Sequence, residues 1–400
     1  MSQAGVYLHI PFCRSRCSYC DFATDVYKNP EIVESYVDAL VREVSGFRVQ
    51  VSGFRFQGSG LRFEVEEKSE IQNQKSKIQI DTIYLGGGTP SLLTPAQLEK
   101  ILESVYKKFS VAGNSEITME MNPATMTLET LKAYKNLGVN RASFGAQTFD
   151  DAELKRLGRK HTANDVRETI DLLRKADYEN VGFDLIAGLP RQSVADWKRN
   201  LKEALDLQPE HLSLYLLEIV QGTPLADQIG SGRQPLPDED LAAEMYKILV
   251  ETVSRKGFVQ YEISNFALAG YESKHNSKYW TLDAVYGFGC SAHSFDGDNI
   301  RRSNERDTAK YVSLMEREKS AIVQKEIIDA ASEFVFLGLR LTEGIDLKDY
   351  EKRFSVDLIE KYAEDLERLK DLHLVEYDEN RLKLTGKGAL FSNEVFEVFI

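Results

Sequence analysis

The chain has 400 residues, 42% of them hydrophobic, and a formal net charge of −13 at pH 7. A chain of this length can bury a large core and is expected to divide into one large and one small domain. The negative charge and the lack of a basic stripe exclude a nucleic-acid backbone as the main partner, because phosphate neutralisation requires clustered Lys and Arg.

The sequence shows no pattern typical of export or of a membrane span. The first residues show no charged segment followed by an apolar one, and no run of about 18 apolar residues occurs in the chain. We therefore expect a protein that is neither exported nor membrane-spanning, located in the cytoplasm, where thiols stay reduced.

From residue 6 to residue 256 a strand-like run is followed by a helix-like run six times. This alternation predicts parallel strands with crossover helices, hence an α/β barrel or a doubly wound sheet. As a barrel, six units would form an open (β/α)6 barrel rather than a closed barrel of eight units. The predicted strands are 6–10, 82–85, 116–121, 140–145, 181–186 and 211–217. The predicted helices begin at Asn29-Pro30 and at Thr94, where Thr94, Pro95 and Gln97 form a capping-box pattern, and cover 127–137, 163–176, 194–207 and 238–256.

One segment departs from this alternation. Residues 45–80 contain SGFRV, SGFRF and SGLRF, which start at Ser45, Ser52 and Ser59, followed by a stretch rich in Glu, Gln, Lys and Ser. We interpret 45–80 as a surface insertion, because the entropic cost of closing a loop grows slowly with its length.

The pattern changes after residue 257. A strand is predicted at 259–263, a polar and aromatic loop with the sequence HNSKYW at 275–280, and a helix from Glu326 to Leu341. A helical stripe and the hairpin-like LVEYDENRLKLT then indicate a small winged-helix-like α+β domain. The predicted division is a barrel at 1–257, an extension at 258–324 and a C-terminal domain at 325–400; the stripe consists of Leu358, Tyr362, Leu366 and Leu369.

Cys13, Cys17 and Cys20 lie in one loop directly after the first predicted strand. Three thiolates suit an iron-sulfur cubane whose fourth iron stays open to a small molecule. There are two alternatives. One is a zinc site in which His9 is the fourth ligand, and the other is three free thiols that have no role. The distant Cys290 is expected to pack as a small hydrophobic residue.

Polar or glycine-rich residues follow each predicted barrel strand. In α/β barrels these strand ends meet on one face and form the active site. Gly86-Gly87-Gly88-Thr89 allows a ligand to approach the backbone closely, although a tight turn would explain it equally well. Glu120 and Asp184 could accept hydrogen bonds from ribose hydroxyls or amines, and Arg159 and Gln147 could donate them.

The order of motifs resembles a known family. The CX3CX2C loop resembles the radical S-adenosylmethionine superfamily. YLHIPFC, YLGGGTPS, EMNP, RASFGAQTF, LGRKHT, FDLIAGLPRQ and YEISNFA resemble its branch of oxygen-independent coproporphyrinogen III oxidases and the related haem chaperones. The resemblance implies a 4Fe-4S cluster on Cys13, Cys17 and Cys20, with S-adenosylmethionine on its open iron.

The resemblance also assigns ligand contacts. It implies that Tyr7, Tyr19, Gly87 and Glu120 contact the cluster-bound S-adenosylmethionine. A second group matches positions that hold another S-adenosylmethionine in the oxidase, and binding of that second molecule is left open here. This group consists of Gly88, Thr89, Gln147, Arg159 and Asp184.

Two differences favour the chaperone branch over the oxidase. The oxidase carries a further cysteine two places after the third, where this chain has Phe22, and an N-terminal extension before the cluster. His275-Asn-Ser-Lys-Tyr-Trp matches the HNxxYW motif of the chaperones, in which the histidine is a haem contact; on residue chemistry alone, a packed loop would be favoured.

The resemblance thus implies delivery of haem to apo-haemoproteins, with an electron donor for the cluster and peripheral membrane association as further expectations. The runner-up is oxidative decarboxylation of coproporphyrinogen III. A third reading is a barrel with a vestigial cluster that only scaffolds protein partners, and the complete cysteine trio argues against it.

Overall fold

The computed structural model describes residues 3–27, 29–48 and 77–400, and strands alternate with helices along its first part. The strands there are β1 (Ala4–Ile10), β2 (Phe12–Cys13), β3 (Asp25–Val26), β4 (Gln79–Gly87), β5 (Ser110–Met121), β6 (Arg141–Gln147), β7 (Val181–Ala187) and β8 (His211–Leu216). The helices are α1 (Pro30–Gly46), α2 (Pro95–Lys108), α3 (Leu128–Asn136), α4 (Asp151–Arg156), α5 (Ala163–Lys175), α6 (Val194–Asp206), α7 (Pro224–Gly230) and α8 (Glu239–Ser254), with a 3-10 turn at Pro90–Leu92.

Shorter strands follow α8. They are β9 (Val259–Glu262), β10 (Asn265–Ala267), β11 (Val285–Phe288), β12 (His293–Phe295), β13 (Ile300–Asn304) and β14 (Ile322–Ile327), with helices α9 (Lys274–Trp280) and α10 (Thr308–Arg317). The C-terminal elements are α11 (Ala330–Gly338), β15 (Ile345–Asp346), α12 (Leu347–Phe354), α13 (Leu358–Lys361), α14 (Ala363–Asp371), β16 (Val375–Tyr377), β17 (Arg381–Leu384), α15 (Gly386–Leu390), α16 (Ser392–Phe396) and a 3-10 turn at Glu397–Phe399.

The large sheet of the described residues has twelve strands in the order β14-β13-β12-β11-β1-β4-β5-β6-β7-β8-β10-β9. Strands β1, β4, β5, β6, β7 and β8 are parallel neighbours in chain order, which confirms the predicted six-unit open barrel. The sheet has two free edges and does not close. Strand β11 pairs in parallel with the other edge of β1, so the parallel part contains a seventh strand that the sequence did not indicate.

Side chains on these strands alternate between two faces. Val6, Leu8, Ile83 and Leu85 are fully buried in the core that the strands share with α1 and α2. The residues between them point to the barrel interior. The strand register places Tyr7, Tyr84, Thr118 and Arg141 side by side in one interior row.

Local capping explains where several helices begin. Thr94 and Gln97 form the expected capping box of α2, with Pro95 as its first residue. Thr162 with Asp165 and Ser193 with Asp196 form equivalent boxes at α5 and α6. Such reciprocal bonds satisfy backbone N–H groups that the first helical turn leaves free.

Three sequence expectations need correction. Glu326 and Ile327, expected to begin a helix, end strand β14, and α11 begins only at Ala330, because the Asp329 side chain accepts from the N–H groups of Ala331 and Ser332. HNSKYW is part of helix α9, capped by Ser273, rather than a loop. Helix α1 extends to Gly46 and β4 begins at Gln79, so the ends of the expected 45–80 insertion belong to regular elements; its other repeats, from Ser52 and Ser59, lie outside the described residues.

The C-terminal region forms a three-stranded sheet in the order β15-β17-β16, with α11 before it and α12 to α14 between its first two strands in the chain. This succession is that of a winged-helix fold, as expected. Its core includes Leu339, Leu366, Val375 and Leu382. The boundary expected at 324–325 divides β14, which pairs with β13 in the large sheet. Among the described helices, none has the length and apolarity needed to cross a bilayer.

Candidate functional site

The cysteine loop is tied to the barrel at several points. The short strands β2 and β3 pair in parallel, and the Tyr27 N–H donates to the Cys13 carbonyl at 2.7 Å. In the middle of the loop, the Ser18 N–H donates to the Leu157 carbonyl at 2.9 Å, and the Ser18 carbonyl accepts from the Leu225 N–H at 2.8 Å. These bonds hold the loop over the carboxyl ends of the parallel strands.

The three thiols are free and only partly covered. The Thr89 hydroxyl lies 3.5 Å from Cys13 Sγ, and Arg159 Nη1 lies 3.5 Å from Cys17 Sγ, each as donor. Burial raises the pKa of Cys13 to about 11, against the smaller lowering effect of Thr89, and burial also raises the pKa of Cys20. These two thiols are therefore protonated at neutral pH without metal, and metal binding must release their protons.

The zinc alternative requires His9 as the fourth ligand. His9, the candidate fourth zinc ligand, is 4% exposed, and both its ring nitrogens have partners: Nδ1 lies 3.0 Å from the Tyr7 hydroxyl and Nε2 lies 2.9 Å from the Ala23 carbonyl. Three partly exposed thiols on one loop fit a cluster that takes three protein thiolates and leaves one corner open.

The glycines after β4 allow this strand end to pack beneath the cysteine loop. Gly87 has a φ of +107°, and a Cβ there would lie 2.4 Å from the His9 ring. A Cβ on Gly88 would lie 2.7 Å from the backbone of Pro11, and the Gly88 N–H donates to the Ile10 carbonyl at 2.9 Å. The triplet is thus required by close packing, in addition to any ligand contact.

Glu120 at the end of β5 is held by two donors. The Tyr84 hydroxyl donates to Oε1 at 2.8 Å, and the Gly87 N–H donates to Oε2 at 2.9 Å. Burial raises the pKa of Glu120 to about 7, with a further raising contribution from Asp184, although both donors act in the opposite direction. Sequence reasoning missed Tyr84, because it lies in an apolar run that shows no alternation.

Arg159 joins the ends of β5 and β6 to the cysteine loop. Besides Cys17, its Nη2 donates to Asn122 Oδ1 at 2.9 Å and to the carbonyl of Gly145. Gln147, in the left-handed region with a φ of +68°, ends β6 beside this guanidinium. Asp184 lies one strand further, where burial raises its pKa to about 6 against the effects of Ser213, Arg141 and Arg159.

The two predicted tyrosine contacts lie on opposite sides of the site. Tyr7 stacks on Tyr84, with ring centroids 6.1 Å apart and an interplanar angle of 28°. Tyr19 packs in an apolar cluster with Leu157, Ile186 and Leu189 below the cysteine loop. Tyr7, Gly87 and Glu120 thus form one contiguous group, and Tyr19 and Arg159 belong to a second group around Cys17.

His275 lies in the barrel interior and is fully buried. Its Nδ1 is 2.9 Å from the Thr82 hydroxyl and its Nε2 is 3.2 Å from the Tyr279 hydroxyl. The ring stacks on Tyr84 at a centroid distance of 5.0 Å, and Glu116 accepts the N–H of His275 at 3.1 Å. Burial lowers the pKa of His275 to about 3, so the imidazole is neutral at physiological pH.

An open parallel barrel with a three-cysteine loop over its carboxyl edge defines a radical S-adenosylmethionine protein. The profile of the Radical SAM superfamily matches residues 7–204, and that of the HemN C-terminal domain matches residues 328–391. Membership of this superfamily implies a 4Fe-4S cluster and S-adenosylmethionine.

Relatives of known function show to which family within this superfamily the chain belongs. The heme chaperones HemW of Lactococcus lactis and Bacillus subtilis are each 33% identical to this chain and align with 99% of it, covering 97% and 99% of their own lengths. The solved structure of the Escherichia coli coproporphyrinogen III oxidase HemN has a TM-score of 0.80 at 21% identity, over 99% of this chain and 90% of that one, which shows the shared fold. The chain belongs to the heme chaperone HemW family.

Proposed function

We propose that this protein binds haem and delivers it to apo-haemoproteins, with a 4Fe-4S cluster and S-adenosylmethionine as cofactors. The observation that carries the proposal is the alignment of almost the whole chain with heme chaperones HemW at 33% identity. Phe22, at the position where the oxidase carries its further cysteine, supports the same choice.

The chain offers a coherent set of residues for the cofactors. Cys13, Cys17 and Cys20 would hold the cluster, and Glu120 with the Gly87 backbone would face the bound nucleoside. When bound, the cluster and the sulfonium compound supply one-electron chemistry. Arg159 positions Cys17, and Tyr84 holds Glu120 through its hydroxyl.

His275 is proposed as the haem ligand. A neutral imidazole is the form that ligates iron, and burial keeps His275 neutral. Both ring nitrogens are engaged in this structure, so ligation requires one of them to be released. Tyr279 is the more accessible partner, with 37% of its surface exposed. We therefore infer that haem binding begins with displacement of the Tyr279 hydroxyl from Nε2.

We place this activity in the cytoplasm, because three partly exposed thiols remain available for a cluster only where they stay reduced. An electron donor would approach the cluster from the face on which these thiols are exposed. Phe22, Val26 and Tyr27 are exposed beside the loop and would contribute to that face.

A paired assay on one anaerobically reconstituted sample tests the proposal. Haem titration should show saturable binding that His275→Ala weakens, whereas the same change at the exposed His293 should leave it intact. Transfer of haem from the loaded protein to an apo-haemoprotein should follow. Turnover of coproporphyrinogen III without haem transfer would instead establish the oxidase function.

A further inference from the structure

Arg141 is a buried cation that forms no hydrogen bond with any described residue. It begins β6, its side chain is among the largest that are fully buried, and the residue is 1% exposed. Its Nε has no hydrogen-bond partner, and no described residue forms a hydrogen bond or ion pair with the guanidinium. Burying an unpaired charge costs several kcal/mol, roughly, so such a group calls for a functional explanation.

The nearby carboxyl groups interact with the charge of Arg141 but do not bond to its guanidinium. Glu120 and Asp184 are close enough for Arg141 to lower their pKa values, yet burial outweighs this effect and raises those values to about 7 and about 6. Glu120 is already bonded to Tyr84 and Gly87, and Asp184 to the Ser213 hydroxyl. At neutral pH Asp184 is mostly ionised and Glu120 about half ionised, but neither carboxyl group forms a hydrogen bond or ion pair with the guanidinium, whose Nε stays without a partner among the described residues.

A second unsatisfied group faces the same interior. His211 is 1% exposed, and its Nε2 lies 2.8 Å from the Tyr261 hydroxyl, whereas no described residue forms a hydrogen bond with its Nδ1. The register places His211 beside Gly182 and Ser143, on the barrel wall that Arg141 occupies. In the tautomer in which Nε2 accepts from Tyr261, Nδ1 carries a hydrogen and is a donor without an acceptor.

The barrel interior leads from Arg141 towards the open edge. Ser143 and Ser213 are small interior residues on β6 and β8, and Asp184 lies between their strands on β7. Glu120 and Asp184 are only partly buried, so the interior is open towards the carboxyl edge at these residues. A ligand that enters there meets small polar side chains before it meets the guanidinium.

We propose that Arg141 binds the carboxylate of a ligand held inside the barrel. A guanidinium forms two parallel hydrogen bonds to a carboxylate and stays charged at all physiological pH values. Two ligands carry such a carboxylate. One is haem, through its propionates, and this source rests on the proposed function; the other is S-adenosylmethionine, through its amino-acid carboxylate. The binding chemistry is the same for both.

Substitution of Arg141 by Met tests the proposal, with haem, haem dimethyl ester, S-adenosylmethionine and its decarboxylated analogue as probes. If Arg141 binds a propionate, R141M lowers the affinity for haem about tenfold or more and leaves that for the diester unchanged. If it binds the cofactor carboxylate, the same loss appears for S-adenosylmethionine but not for its decarboxylated analogue. Equal affinities of R141M and the wild type for all four probes would overturn the proposal.

Stability measurements separate a binding role from a structural one. Because Met removes an unpaired buried charge, R141M should unfold at the same or a higher temperature than the wild type without ligand, even though it binds more weakly. A lower unfolding temperature would indicate a structural role and overturn the proposal. Arg174→Met, which removes the ion pair between Arg174 on α5 and Glu210 before β8, is the matched control for binding. Should the wild type bind no haem, the proposed function fails, while the S-adenosylmethionine probes still decide the role of Arg141.

Discussion

The ring of Tyr84 stacks on His275, and the Tyr84 hydroxyl donates a hydrogen bond to Glu120 at 2.8 Å. One residue thus contacts both helix α9, which carries the HNxxYW motif, and the expected cofactor site. His275 belongs to helix α9, and Glu120 also accepts the N–H of Gly87 below the cysteine loop. Tyr84 therefore links α9 to the strand end beside the cysteines. Release of His275 towards haem would remove one face of the packing around Tyr84.

Tyr84→Phe should weaken S-adenosylmethionine binding about tenfold, because hydrogen bonds to charged groups contribute about 1.5–3 kcal/mol. The hydroxyl also lowers the pKa of Glu120, so its loss should move the pH dependence of binding to higher pH. Equilibrium binding to the reconstituted protein across pH 5.5–8.5, roughly the range that brackets the Glu120 pKa, measures both effects. The buried Tyr178, whose hydroxyl donates to the Leu131 carbonyl, provides the control Tyr178→Phe. An unchanged affinity and pH profile would show that Tyr84 does not position Glu120.

Gly88→Ala should prevent proper cluster assembly, because the added Cβ would lie 2.7 Å from the Pro11 backbone and displace the cysteine loop. We expect iron and sulfide contents well below those of the wild type after reconstitution. Gly113→Ala is the matched control, since a Cβ there meets no atom within 4 Å. Normal iron content in the Gly88 variant would contradict the packing argument.

Tyr279→Phe should increase haem affinity by about two- to tenfold, because haem no longer competes with the hydroxyl for His275 Nε2 and a neutral hydrogen bond contributes about 0.5–1.5 kcal/mol. Absorbance titration with haem measures the change. A lower haem affinity in Tyr279→Phe would mean that the hydroxyl stabilises the haem-bound state and would contradict the prediction. If only Thr82→Val raised the haem affinity, Nδ1 rather than Nε2 would be the ligand.

The fold was predicted well where the sequence repeats a strand and a helix, because apolar periodicity and capping residues such as Thr94 are local signals. Helix α9 was missed because HNSKYW lacks an apolar stripe and depends on the Ser273 cap and on Glu116, which is distant in the chain. The inward orientation of Tyr84 and Arg141 follows from strand register, which a single sequence does not reveal. Motif resemblance assigned the cysteines and Glu120 together with Gly87, Thr89 and Arg159, which contact them, but it did not indicate a role for Tyr84.

Glu43, a partly buried carboxyl on α1, should make stability depend on pH. It accepts from the Tyr311 hydroxyl at 2.6 Å and from the Gly289 N–H at 2.8 Å, yet burial raises its pKa to about 7. The folded state therefore binds its proton more tightly than the unfolded state, and this contribution to stability is complete at low pH and is lost as pH rises towards 7. Relative to Glu43→Gln, the wild type should lose about 3 kcal/mol between about pH 4.5 and 7.5 in urea unfolding. Parallel pH dependences of the two proteins would contradict this assignment.

The central claim is that Cys13, Cys17 and Cys20 hold a cubane whose fourth iron stays open to S-adenosylmethionine. The most direct measurement is electron paramagnetic resonance of the reduced, anaerobically reconstituted protein before and after addition of S-adenosylmethionine, together with iron and sulfide analysis. We predict a 4Fe-4S spectrum that changes on addition, is absent in Cys17→Ala and is retained in Cys290→Ala. A bound zinc ion, or a cluster spectrum that S-adenosylmethionine leaves unchanged, would contradict the claim.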